Sequence, residues 1–96
     1  SLMVTRVPIG NLLFLILLKN CSLEKSASIA ETLRSTIEAN DFSRTTDLAK
    51  GKLAITVSIG VAQYVHKELE DGVFERADTA LYQAKDSGRN CVYFAE

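Results

Sequence analysis

The residues best placed to do chemistry form one hexapeptide, Lys85-Asp86-Ser87-Gly88-Arg89-Asn90. Lys85 falls in the last turn of a predicted helix. Arg89 follows Gly88, which suits the C′ position of that helix. Two cations so placed can grip an anion such as a phosphate. They can equally complement the negative end of the helix dipole, the commoner role of such charges. Other reactive constellations are missing from the sequence. Cys21 and Cys91 lie far apart and His66 is the single histidine, so there is no zinc spacing. No Gly-rich phosphate loop leads from a strand into a helix. Ser is plentiful and His unique, so no Ser/His/Asp set stands out.

The elements that must carry the hexapeptide are readable from periodicity. Leu2 to Val7 reads as a short strand. Gly10-Asn11 is a two-residue hairpin candidate, because Gly accepts a positive φ freely and Asn tolerates it. Leu12 to Leu18 is a run of seven apolar residues. A membrane helix needs about 20, so the run is too short to span. A signal peptide, with Arg6 as its basic start and Ser26-Ala27-Ser28 as its cleavage site, would cut a good amphipathic helix. The run instead predicts a strand buried on both faces and pairing antiparallel with the first. Ser22 can cap the next helix, whose apolar face is Leu23, Ala27, Ala30, Leu33 and Ile37. Glu24, Lys25, Glu31, Arg34 and Glu38 form its solvated face, and Asn40 and Asp41 end it.

Phe42 to Lys52 reads as a loop or irregular hairpin. Leu53 to Ala62 alternates with period two, large residues on one face and small ones on the other. A helix can approach closely over the small face. His66 to Gly72 reads as a charged connection. Val73, Phe74, Ala77, Leu81 and Ala84 mark a second helix, and Cys91, Tyr93 and Ala95 a final strand. The order is β-β-α-β-α-β.

Composition adds bounds. The chain has 96 residues, 47% hydrophobic and 24% charged, with 11 Lys plus Arg against 12 Asp plus Glu. That describes one small globular domain, and the order of its elements makes it α/β (α+β). The near balance of charge argues against a broad nucleic-acid or anionic-membrane surface. Two cysteines allow one bridge at most and are most simply packing residues of a reducing, cytoplasmic compartment. The chain begins with Ser1 in place of Met, as expected of a processed or trimmed amino end.

Three segments together resemble the GGDEF domain family, the diguanylate cyclase domain of bacterial cyclic-di-GMP signalling. Ile55-Thr56-Val57-Ser58-Ile59-Gly60-Val61-Ala62 resembles the family's central VSIGVA strand. Ala77-Asp78-Thr79-Ala80-Leu81-Tyr82-Gln83-Ala84-Lys85, followed by Asp86-Ser87-Gly88-Arg89-Asn90, is similar to the family's ADxALYxAKxxGRN helix and exit. Phe14 to Leu18, followed by Cys21-Ser22-Leu23-Glu24, resembles the strand after the signature and the start of the next helix. The likeness is strongest over residues 14–93, and residues 1–13 are atypical.

The resemblance implies a partial nucleotide-cyclase palm, a mixed and mainly antiparallel sheet flanked by helices. It implies a family reaction that condenses two GTP into cyclic di-GMP with Mg²⁺ across a dimer. It also assigns phosphate contacts to Lys85 and Arg89. The signature falls on Gly10-Asn11-Leu12-Leu13-Phe14. Gly10 and Phe14 match, Asn11 stands for the second Gly, and Leu12 and Leu13 stand where the family has its acids. Leucine ligates no metal and accepts no hydrogen bond, so no catalytic residue and no metal ligand is expected. The inhibitory Arg-x-x-Asp would fall on Ser1 and Val4 and is not matched. The strand with the metal-binding Asp and the helices after it lie outside the 96 residues.

The expectation is a single partial domain, inactive and structural or regulatory, taking no cofactor. GTP and cyclic di-GMP are partners expected only of an intact homologue. A piece of an active cyclase and an unrelated αβ interaction module are the alternatives. An open sheet edge further predicts self-association.

Overall fold

The computed structural model describes residues 1–40, 55–65 and 70–96. The expected loop at 42–52 lies outside them, as do Leu53, Ala54 and residues 66–69. The elements run β1 (Met3–Ile9), β2 (Leu12–Leu18), α1 (Leu23–Ala39), β3 (Ile59–Gln63), α2 (Glu70–Asp86) and β4 (Val92–Phe94). The element order and the α+β class match the sequence expectation. The four strands form one sheet in the order β2-β1-β3-β4. β1 pairs antiparallel with both β2 and β3, and β3 pairs parallel with β4.

The hairpin follows directly from Gly10. Ile9 opposes Leu12, which leaves a two-residue turn. Gly10 has φ 60 and Asn11 is not left-handed, so the turn places its one positive φ on the residue that bears it without strain. β1 runs two residues beyond the expected Val7, through Pro8 and Ile9. Proline lacks an N–H, but the pairing with β3 reaches only Arg6, so Pro8 leaves no ladder bond unmade on that side.

Alternation along β1 divides the core between two helices. Met3 and Val7 join Ile59, Val61 and Ala30, with Leu33 and Ile37 of α1 packed against them. Val4 faces the other way, joining Ala62, Val73 and Ala77 under α2. Ser22 caps α1 as expected, its Oγ accepting from Lys25 N at 3.1 Å. α2 begins at Glu70, three residues before the expected Val73. One glycine, Gly72, is tolerated in a first turn.

Two sequence readings are corrected. The first concerns β2, which is not buried on both faces. Leu12 is 64% exposed, Leu13 50% and Leu17 48%, with Phe14 and Leu15 also exposed. β2 is the sheet's edge, where Ile16 and Leu18 pack against the core while its other side chains stay exposed. The unbroken apolar run measures hydrophobicity, and it does not report what lies opposite. The second concerns β3, which is shorter than the alternating pattern: residues 55–58 are described but lie outside the strand. The ladder partners of β3, Met3 to Arg6 on β1 and Val92 to Phe94 on β4, begin opposite Ile59 and Gly60. The small face behaves as expected. A Cβ on Gly60 would collide with the backbone of Ala77 and Leu81, so α2 rests on the bare main chain of β3. No helix among the described residues is long and apolar enough to cross a membrane.

Candidate functional site

The end of α2 is built as a Schellman motif. Gly88 N donates to Lys85 O at 3.4 Å and Arg89 N to Ala84 O at 3.0 Å, satisfying two carbonyls of the last turn. Gly88 takes φ 112 at C′, as expected of that position. Arg89 (φ 66) and Asn90 (φ 51) stay left-handed too, which is uncommon for residues that carry a Cβ.

This exit places Lys85 and Arg89 on one cleft of about 230 Å³. Its opposite wall is Pro8 and Gly10 of the hairpin, and Thr56, Val57 and Ser58 complete it. Three of the residues expected at the site, Gly10, Lys85 and Arg89, are therefore brought together from segments 75 or more positions apart. Asn11 and Phe14 are exposed and do not line it. Lys85 is half-buried and Arg89 exposed. The sequence does not single out Thr56, Val57 and Ser58 as site residues, since neither a hydroxyl nor a valine in an alternating pattern carries a signal of its own.

The chemistry of the wall decides what it can hold. Two cations, hydroxyl-bearing residues and backbone suit an anion with several oxygens. A divalent cation needs oxygen donors, chiefly carboxylates. No carboxylate lines this cleft, and the residues after the turn, Leu12 and Leu13, are aliphatic. No group of three or more His, Cys, Asp or Glu able to hold a metal occurs among the described residues. Diguanylate cyclases of the GGDEF family generally use Mg²⁺. Among the described residues, those lining the cleft do not fit that ion.

Residues 9–91 match the profile of the family described as "Diguanylate cyclase, GGDEF domain". The chain belongs to the GGDEF family. This removes the alternative of an unrelated αβ module. Among GGDEF relatives, it is 40% identical over 82 residues to diguanylate cyclase DgcM of Escherichia coli K12, covering 85% of this chain and 18% of that protein. It is 42% identical over 89 residues to the uncharacterised Bacillus subtilis protein YhcK, covering 92% of this chain and 24% of that protein. The fold superposes on the GGDEF domain of DgcB from Caulobacter crescentus, solved in complex with c-di-GMP. That match has a TM-score of 0.81 at 33% identity, over 91% of this chain and 49% of the other. An active GGEEF domain from Vibrio cholerae gives a TM-score of 0.77 at 27% identity, over 93% and 54%. The chain thus spans about half of these solved GGDEF structures and a quarter or less of the two full-length relatives.

Proposed function

We propose that this chain is a catalytically inactive GGDEF module, residues 1–96 forming a single partial domain with a structural or regulatory role in cyclic-di-GMP signalling. The observation that carries this reading is the composition of the cleft. Lys85 and Arg89 face the hairpin turn, as phosphate contacts require. Directly after the turn, β2 opens with Leu12 and Leu13 where the family reaction needs a metal ligand and a substrate contact. The cleft therefore keeps affinity for a phosphate-bearing anion and lacks the means to activate it. Free Cys21 and Cys91 suit the cytoplasm, where such signalling operates.

The deciding experiment incubates purified chain with GTP and Mg²⁺ and measures cyclic di-GMP. No product above a Lys85→Ala control is expected. Turnover that Lys85→Ala abolishes would return the chain to the active cyclases.

The reading includes self-association. β2 is an edge strand with no charged residue from Leu12 to Leu18 and with side chains exposed on both faces. Such an edge is a template for pairing with another chain. Light scattering should show a mass that rises with concentration. A monomer throughout would remove this part of the reading.

A further inference from the structure

Arg89 and Asn90 are held in a backbone conformation that side chains other than Gly rarely adopt. The Schellman motif takes in Gly88 and the amide of Arg89, and makes no bond to Asn90. A further contact must hold Asn90 and the Arg89 backbone beside it, since such conformations persist only where the surrounding structure over-determines them. The surroundings are on α1. Arg34 Nη1 donates to Asn90 Oδ1 at 2.8 Å, and Asn90 Nδ2 donates in turn to Glu38 Oε2. Both ends of the Asn90 amide are therefore engaged by one helix, 52 and 56 positions earlier in the chain.

Arg34 is itself prevented from swinging. Its Nε and Nη2 bind the two carboxylate oxygens of Glu31 at 2.6 and 2.7 Å, a fork that fixes the guanidinium plane. The same Nη1 reaches Glu38 Oε1 at 3.2 Å. Arg34 keeps a side-chain exposure of 14%, low for a residue on the expected solvated face. The order of dependence runs from Glu31 to Arg34, from Arg34 and Glu38 to Asn90, and from Asn90 to the backbone that carries Arg89.

We propose that Arg34, Glu38 and Asn90 form a clamp that positions Arg89 against the cleft, so that α1 sets the affinity of an anion site it does not touch. The clamp residues are positioning residues. None lines the cleft, whose cations are Lys85 and Arg89. The proposal rests on the cleft's reading as an anion site, and its test separates the two.

The test uses the full chain and two variants, Asn90→Gly and Arg34→Gln, with Glu38→Gln as the conservative comparison. Glycine accepts the left-handed backbone, so Asn90→Gly removes the amide without adding strain. Glutamine at position 38 keeps an acceptor oxygen for Asn90 Nδ2. The first readout, without ligand, is the NMR order of the amides of residues 88–91 and of Arg89 Nε–H. The second is the affinity for inorganic pyrophosphate. Asn90→Gly and Arg34→Gln should lose order at these groups and bind pyrophosphate about tenfold more weakly, roughly what one charge-assisted hydrogen bond is worth. Glu38→Gln should stay within about threefold of the parent, as a neutral acceptor keeps part of such a bond. Unchanged order in Asn90→Gly and Arg34→Gln overturns the clamp. A parent chain that binds no pyrophosphate overturns the anion site, and the order measurements still decide whether the clamp exists.

Discussion

Arg6 Nε donates to Asp78 Oδ1 at 2.8 Å, tying the middle of β1 to the middle of α2. From Arg6 to Gly10 the strand advances about 13 Å. From Asp78 to Lys85 the helix advances about 11 Å. The two paths are nearly equal, so this pair holds the hairpin turn level with the cationic end of the helix. Arg6→Ala should lower stability by about 1 kcal/mol, the ordinary worth of a partly exposed ion pair. A double-mutant cycle with Asp78→Ala, followed by urea unfolding, should give a favourable coupling. A coupling of zero would leave the alignment to packing alone.

Gly60 carries the other half of that alignment. Its Cβ position is occupied by the backbone of Ala77 and Leu81, which cannot rotate away as a side chain would. Gly60→Ala should force α2 off the sheet and destabilise the chain by about 3 kcal/mol or more. Chemical denaturation checks this. A loss below about 1 kcal/mol, which small surface changes produce, would show that the helix can lift without cost.

The clamp has a pH window whose sign follows from its carboxylates. The hydrogen bond from Arg34 holds Glu31 below its ordinary value of 4.5. Asn90 first and Arg34 second hold Glu38 below the same value. A carboxyl depressed in the folded state stabilises that state fully above its unfolded pKa, and the contribution is lost as pH falls through the folded one. The exit loop should therefore keep its order at neutral pH and lose it only in acid below 4.5. Carboxyl NMR titrations should show Arg34→Gln raising both glutamates towards that value. Titration midpoints that ignore Arg34 would contradict the network.

β2 offers a direct test of association. Leu17 is 48% exposed, so Leu17→Lys should leave the fold intact while placing charge on the apolar edge. Sedimentation should then show the variant closer to a monomer than the parent at equal concentration. An unchanged distribution would place the contact elsewhere.

Much of this was legible in the sequence because it is local. Ser22 at its cap, Gly10 in its turn, Gly88 at C′ and the small face at Gly60 and Ala62 each follow from the conformation or space one residue type permits. Lys85 and Arg89 were legible as a pair, since one helix end sets their spacing. What escaped depends on neighbours distant in sequence. The exposure of β2 is decided by which elements lie opposite, so Leu12 to Leu18 reads alike in a core and at an edge. Arg34 and Glu38 read as solvated because periodicity places them away from the helix's own apolar face. Nothing in that spacing announces Asn90.

The sheet order also fixes how securely each strand is held. Met3 of β1 pairs with both Leu18 and Gln63, whereas every ladder bond of β2 runs to β1 alone. The hairpin closes over a two-residue turn, but the centre of the sheet closes only when residue 63 returns to residue 3. Local opening is easier where fewer partners must be given up. Hydrogen exchange should be slowest at Met3 to Arg6 and at Ile59 to Gln63, and markedly faster along β2. The most apolar segment of the chain is then also the strand that loosens first.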